Sequence, residues 1–272
     1  MPWSGSLARM PVPQLASVDG SISSTAEARI PVADDGLLRG DGVFEMVRLY
    51  SGRPFTLRDH LDRLERSASA IELPLDRAVI EGEIAALLAE LGDADGALRI
   101  VLTRGGRRLL LTEPLPAHPE AIRVATVTYA PNVILTGVKS ISYAANMEAT
   151  RLAQARGADE AILVRPDGTV LEAPTSAVFW ASPDGGLRTP ALDTGILDSI
   201  TRAQIVRELH VDEGAWPVED LRDATEAFLA STTREVQPVS AIDGRELPGA
   251  PAPQAAQEAS EAFRRVVERE LS

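Results

Sequence analysis

Val138-Lys139-Ser140-Ile141-Ser142-Tyr143-Ala144-Ala145-Asn146 holds the only lysine of the chain. The other basic residues among the 27 lysines and arginines are all arginine. A chain this biased keeps lysine where arginine cannot replace it. Surface charge, salt bridges and anion clamps tolerate the exchange. An amine that forms a Schiff base, or that must titrate near neutral pH, does not. Arginine stays protonated, whereas the lysine pKa falls readily on burial. The plainer alternative is that Lys139 is a leftover surface residue. Its setting weighs against that, because the stretch lies between an apolar run and an expected helix over 148–156.

Working outward, Tyr129 to Gly137 reads as a connector between two domains. Before it, Val43 to Tyr50 alternates as a strand, which places Phe44, Met46 and Arg48 on one face. Leu61, Leu64, Ala68 and Ile71 recur at helical spacing over 58–72, and a second helix is expected over 76–91, ended by Gly92. Strands are expected at 97–103 and 121–128. After the connector, strands are expected at 160–164, 169–171, 177–181, 227–230 and 236–241, and helices at 200–208 and 218–224. An amphipathic helix closes the chain over 253–271. The expected fold class is α+β, with a loose lead-in over 1–16, a small α/β domain over 17–129, a connector at 130–137 and a larger domain over 138–272.

Composition removes several function classes. There is no cysteine, so disulfides, thiolate catalysis and sulfur-ligated metals are excluded. Only three histidines occur, His60, His118 and His210. No two have metal-ligand spacing, and no Gly-x-Ser-x-Gly elbow is present for a serine hydrolase. The net charge of -13 argues against nucleic acid, which needs a basic footprint. No apolar run approaches the ~20 residues that span a bilayer, and the N-terminus lacks the pattern of a secretion signal. A cytoplasmic protein is expected.

The second half offers an amine, an acid and hydroxyls near turns. Glu172 follows a short apolar strand. Ser199 and Thr201 stand where a helix opens, a site that suits an anion or simply caps the helix. Ser231, Thr232 and Thr233 follow the apolar run 227–230 and also read as a polar strand end. In order, the chain presents His60-Leu-Asp-Arg63-Leu64, Val138-Lys139-Ser140, Leu171-Glu172-Ala-Pro-Thr-Ser176, Ile200-Thr201-Arg202 and Ser231-Thr-Thr-Arg-Glu-Val-Gln-Pro-Val239. This series resembles the fold-type IV pyridoxal phosphate enzymes, the class IV aminotransferase family. That family includes branched-chain and D-amino-acid aminotransferases and aminodeoxychorismate lyase. The likeness covers roughly residues 33 to 247.

The resemblance implies a small α/β domain and a larger pseudo-barrel α+β domain, with pyridoxal 5'-phosphate between them, in a homodimer. It implies that Lys139 carries the cofactor as a Schiff base and shuttles the proton, and that Glu172 faces the pyridine nitrogen. Arg63 would bind the phosphate, with the Ile200 and Thr201 amides, the Thr201 hydroxyl and Thr232 completing the cup. Tyr143 is implied to reach the cofactor's phenolic oxygen. Phe44, Met46 and Arg48 are expected to face the substrate pocket. Arg99 is a candidate clamp for a substrate carboxylate, or a solvated strand arginine. Thr233 could offer its amide to the α-carboxylate. His60 is expected to shape its helix, and the Arg104-Gly-Gly-Arg-Arg108 run is read as a loop with anion affinity or merely as solvated charge.

Two reactions remain. A transaminase moves an amino group from an amino acid or amine to a 2-oxo acid. The lyase releases pyruvate and 4-aminobenzoate from 4-amino-4-deoxychorismate. Arg99 and the segment 192–202 are similar to the lyases. The segment 231–239 is similar to the aminotransferases, and Met46 stands where the lyases carry a threonine. A thioether neither donates nor accepts a proton, so the reading leans to the transaminase. A binding protein that kept the fold would be expected to lose Lys139 or Glu172, and both are present.

Overall fold

The computed structural model describes residues 12–272. Most of the expected lead-in lies outside them. Its last residues do not: β1 (Leu15–Val18) pairs antiparallel with β2 (Ser21–Ser24). A short helix, α1 (Asp35–Arg39), precedes the long strand β3 (Gly42–Tyr50), which turns into β4 (Arg53–Pro54). Helices α2 (Leu57–Ala70) and α3 (Arg77–Leu91) follow, then β5 (Gly96–Thr103) and β6 (Arg108–Glu113). The six strands form one sheet in the order β2-β1-β6-β5-β3-β4.

Side-chain periodicity explains how helices cover this sheet. Val43, Val47 and Leu49 alternate along β3 and are fully buried. They pack with Leu61, Leu64 and Ala68 of α2 and with Ile80, Ile84 and Leu87 of α3. Asp76 caps α3 by accepting from the Val79 amide, and Gly92 ends it with φ 68°, a left-handed value that glycine adopts without a Cβ penalty.

The second sheet is mixed. Its strands are β7 (Ile122–Thr128), β8 (Glu160–Val164), β9 (Ala177–Ala181), β10 (Leu187–Pro190), β11 (Asp212–Gly214), β12 (Glu226–Ser231), β13 (Glu235–Ile242) and β14 (Arg245–Glu246). The order is β11-β10-β9-β12-β13-β7-β8, with β14 paired to β13. Helices α4 (Ala144–Gln154), α5 (Ile200–Glu208), α6 (Val218–Arg222) and α7 (Gln254–Leu271) complete it. The architecture is α+β, as expected. Strand β7 runs parallel between β13 and β8, so these residues, sequence-adjacent to the first unit, are hydrogen-bonded into the second sheet. Phe179 and Phe228 stack at 4.8 Å between centroids. Ala256, Ala259 and Phe263 of α7 join them in one apolar cluster, which also takes Phe55 from the first sheet's side.

Two local expectations are corrected. Residues 169–171 make only isolated bridges, Val170 with Val164 and Thr169 with Pro217. The arginine run at 104–108 is the turn between β5 and β6, and its arginines are consumed internally. Arg104 pairs with Asp41, Arg107 with Asp19 and Arg108 with Glu83. Those acids lie far away in sequence, which is why the run read as free charge.

Candidate active site

A cavity of about 1030 Å³ is lined by residues of both sheets. Strand pairing delivers Lys139 to it. The Phe44 amide donates to the Lys139 carbonyl at 2.9 Å, and the Ile141 amide donates to the Gly42 carbonyl at 3.0 Å. The segment after the connector thus lies against the start of β3. Gly42 permits this approach: a Cβ there would stand 2.2 Å from the Leu102 carbonyl oxygen and 2.9 Å from Ile141 Cδ1. The Lys139 amide also donates to Ser67 Oγ on α2, at 3.1 Å.

The Lys139 amine lies 4.4 Å from the centroid of the Phe44 ring. Burial lowers its pKa to about 8, helped by the positive charges of Arg63 and Arg99 and opposed by Glu45 and Glu172. Across the cavity, Glu172 Oε1 accepts from the Leu197 amide at 3.0 Å. Burial pushes the Glu172 carboxyl up to about 7, against the pull of that amide, Lys139 and Arg63.

Arg63 is 4% exposed. Its Nε and Nη2 donate to the two oxygens of Glu45, at 2.7 and 2.8 Å, and Nη1 donates to the Asp198 carbonyl at 2.7 Å. A guanidinium has five N–H groups. Three are engaged, and the remaining two stay available to an anion in the cavity that Arg63 lines. Glu45 also accepts from His60 Nδ1 at 2.7 Å. His60 therefore does more than shape the helix. Its neutral ring, with its pKa lowered chiefly by burial, completes the shell around Glu45.

Phe44, Met46, Arg99, Ile200, Thr232 and Thr233 all line the cavity with Lys139, Glu172 and Arg63. Arg99 donates from Nε and Nη2 to Glu113, at 2.5 and 3.0 Å. Tyr143 packs edge-to-face on Phe44, 5.3 Å between centroids, and its hydroxyl donates to the Pro174 carbonyl at 2.9 Å. Two expected residues are placed elsewhere. Thr201 is buried in the first turn of α5, where Ser199 caps the helix by accepting from the Arg202 amide. Arg48 shares the alternation of Phe44 and Met46 but sits further along β3, beyond the cavity wall. It packs on Tyr50, 4.7 Å from the ring centroid.

Sequence reasoning missed the carboxylates that hold the cavity's arginines. Glu45 was legible in retrospect. It is an acid on the face of β3 that carries Val43, Val47 and Leu49, and such a group needs a cationic partner. His60 and Arg63, three apart on one face of α2, supply it. Glu113, Glu160 and Arg234 had no comparable local signal. Arg234 lines the cavity and donates to Glu160 Oε2 at 3.0 Å.

The chain belongs to the class IV amino-transferase family, whose model matches residues 42–242. Class IV aminotransferases use pyridoxal phosphate, and the relatives that match this chain are named as aminotransferases. The chain is 34% identical to the D-alanine aminotransferase of Bacillus licheniformis, over 86% of this chain and 91% of that one. Its fold is similar to a branched-chain aminotransferase from Thermoproteus uzoniensis, solved with norvaline, at 30% identity and a TM-score of 0.83, covering 94% of this chain and 95% of that one. It is similar as well to a hypothetical aminotransferase from Mycobacterium tuberculosis in its PLP-bound form, at 28% identity and a TM-score of 0.83, over 93% of this chain and 98% of that one.

Proposed function

We propose that this aminotransferase uses Lys139 as its cofactor-bearing amine and transfers amino groups between an amino acid, or an amine, and a 2-oxo acid. The observation that carries the reading is the Lys139 amine itself, set in a cavity with Arg63 and Glu172 and titrating near pH 8. The donor set fits pyridoxal phosphate. Arg63 has two N–H groups left for the phosphate, and Ile200 and Thr232, which line the same cavity, could add an amide and a hydroxyl. Glu172 offers a carboxylate to a ring nitrogen. Bound pyridoxal phosphate supplies an aldehyde that condenses with amines and a ring that accepts an electron pair.

The chain's own residues do the rest. With the cofactor bound, the neutral Lys139 amine would accept the proton that leaves the substrate Cα and pass it to the cofactor carbon that receives the amino group. Glu172 would hold a proton at the ring nitrogen. Arg99, oriented by Glu113, grips a substrate carboxylate, and the Thr233 amide is a second donor to it. Phe44 and Met46 form the apolar wall against which the substrate side chain lies. Met46 has no exchangeable proton, and the similar chains are aminotransferases, so transfer is favoured over the elimination of 4-aminobenzoate. Exposed Val32, Leu37, Leu38, Val133 and Ile134 support a homodimer in which a second copy covers apolar surface. No helix among the described residues is long and apolar enough to cross a membrane, and we read the enzyme as cytoplasmic.

Absorbance tests this reading. The protein reconstituted with pyridoxal phosphate is expected to show a visible band that Lys139→Ala abolishes. Single amino acids should then bleach the band with release of a 2-oxo acid. A band that survives in Lys139→Ala refutes the assignment of the amine. Formation of 4-aminobenzoate without any half-reaction refutes transfer.

A further inference from the structure

Arg48, displaced from the pocket, belongs to a contact that joins the two sheets. The Tyr50 hydroxyl donates to Glu235 Oε1 at 2.8 Å, across 185 residues of chain. Arg48 Nε lies 3.9 Å from the same oxygen. Arg48 is 8% exposed, and its Nε and Nη1 have no hydrogen-bond partner among the described residues. Its charge is therefore answered by the Glu235 carboxylate and the face of Tyr50. The contact raises the Tyr50 pKa, first through burial and then through the Glu235 charge.

Glu235 occupies an unusual position. Its φ is 57°, a left-handed backbone that few residues other than glycine, asparagine or aspartate adopt and that persists only when the surroundings hold it. It is the first residue of β13 and pairs with Ser231, the last of β12. The three residues between them, Thr232, Thr233 and Arg234, line the cavity. At the other end of the contact, β3 carries Phe44 and Met46 to the same cavity and Glu45 to Arg63. A single carboxylate thus ties the turn at 231–235 to the strand that forms the opposite wall.

We propose that Arg48 and Tyr50 are positioning residues, which act through Glu235 to hold the 231–235 turn at the spacing the cofactor and substrate require. This rests on the reading of Thr232 and Thr233 as parts of the binding site. Tyr50 and Glu235 are out of reach of the reacting atoms in this account. They set where the hydroxyl and amides of the turn lie, at the left-handed residue that closes the β12–β13 hairpin.

Tyr50→Phe removes the hydroxyl and little else. Glu235→Gln keeps an acceptor for that hydroxyl, whereas Glu235→Ala does not. Two readouts are needed. The dissociation constant for pyridoxal phosphate is measured by titrating the apoprotein, and hydrogen–deuterium exchange at 231–235 is measured in the apoprotein with α3 as the internal reference. Tyr50→Phe is expected to weaken cofactor binding about tenfold, the scale of one lost hydrogen bond. Exchange should quicken at 231–235 and stay unchanged in α3, and KM should rise more than kcat falls. Glu235→Gln should recover most of the affinity lost in Glu235→Ala. Binding within twofold of the parent, with unchanged exchange at the turn, overturns the proposal. So does a lower melting temperature with neither readout altered. If the parent protein takes no pyridoxal phosphate, the cofactor reading falls, and exchange at the turn alone decides whether the tether exists.

Discussion

Glu45→Gln tests the buried network beneath the cavity. Glu45 is fully buried and receives Arg63 through two hydrogen bonds and His60 through a third. Burial alone would raise its pKa. The Arg63 charge and fork, with His60, outweigh burial and hold it at about 2, from an ordinary 4.5. A depressed carboxyl stabilises the fold above its unfolded pKa, and this stability drains away as pH falls from 4.5 towards 2. At 1.36 kcal/mol per unit the coupling is worth about 3 kcal/mol. Glutamine keeps the shape but turns an amide towards the guanidinium and leaves Arg63 charged without its counter-charge. Breaking one side of a buried pair costs about 3–5 kcal/mol, a large share of the ~5–15 kcal/mol that holds a folded domain. Denaturant unfolding of the apoprotein, repeated from pH 7 to pH 2, should show that loss at neutral pH. The share of the parent's decline below pH 4.5 that Glu45 supplies should be absent from the variant, while that of the other depressed carboxyls, Asp62, Asp167 and Asp184, should remain. Two contributions should remain in both: a loss below pH 6.5 from His60, which burial holds neutral and which must charge on unfolding, and an opposing gain from Glu172, which takes up its proton in the folded state as pH falls from about 7 towards 4.5. Replacing both partners, Glu45→Leu with Arg63→Met, should recover much of the stability while abolishing phosphate binding. A Glu45→Gln protein within about 1 kcal/mol of the parent, with the same acid slope, would refute the argument.

Two further outcomes follow from the cavity's titrations. With a pKa near 8, about a tenth of Lys139 is neutral at pH 7, roughly 300-fold more than for a lysine at 10.5; the rate at which apoprotein develops the visible band should climb with pH through a midpoint near 8, and a midpoint above 9.5 contradicts the depressed value. Glu172→Gln should still form the band yet lose about a hundredfold in kcat, the scale of removing one group that stabilises developing charge; turnover within threefold of the parent would remove Glu172 from the mechanism.

Periodicity and punctuation made most of the fold legible. The helix at 57–70 follows from its buried stripe, that at 77–91 from its stripe and its Asp76 cap, that at 200–208 from its Ser199 cap, and the long strand β3 from its alternation. Two interior strands of the first sheet were not legible. The four residues of β1, and the 108–113 segment that begins with an arginine, owe their state to partners elsewhere in the chain rather than to their own pattern. The site divides in the same way. Residues to which chemistry is assigned stood in recognisable local words, Lys139 and Glu172 above all. The residues that orient them did not, because an ion pair is a property of two distant segments. Arg48 shows the cost of reading one strand face as one environment. Alternation fixes which side a residue takes, but not how far along the strand the cavity extends.

The arginine bias then acquires a physical sense. Four cations line the cavity: Arg63, Arg99, Lys139 and Arg234. Each arginine is matched to a carboxylate, Glu45, Glu113 and Glu160 respectively. Lys139 has no ion pair among the described residues and instead lies against the Phe44 ring. A guanidinium stays charged under burial and so demands a counter-charge, which also fixes its direction. An amine left unpaired in the same surroundings can shed its proton and become a nucleophile. Giving Lys139 a close carboxylate of its own, as Ser140→Asp would if the new group reached the amine, should raise its pKa and slow capture of the cofactor at pH 7. On the role proposed for Lys139, its solitude in the cavity, more than its rarity in the chain, is what would make it reactive.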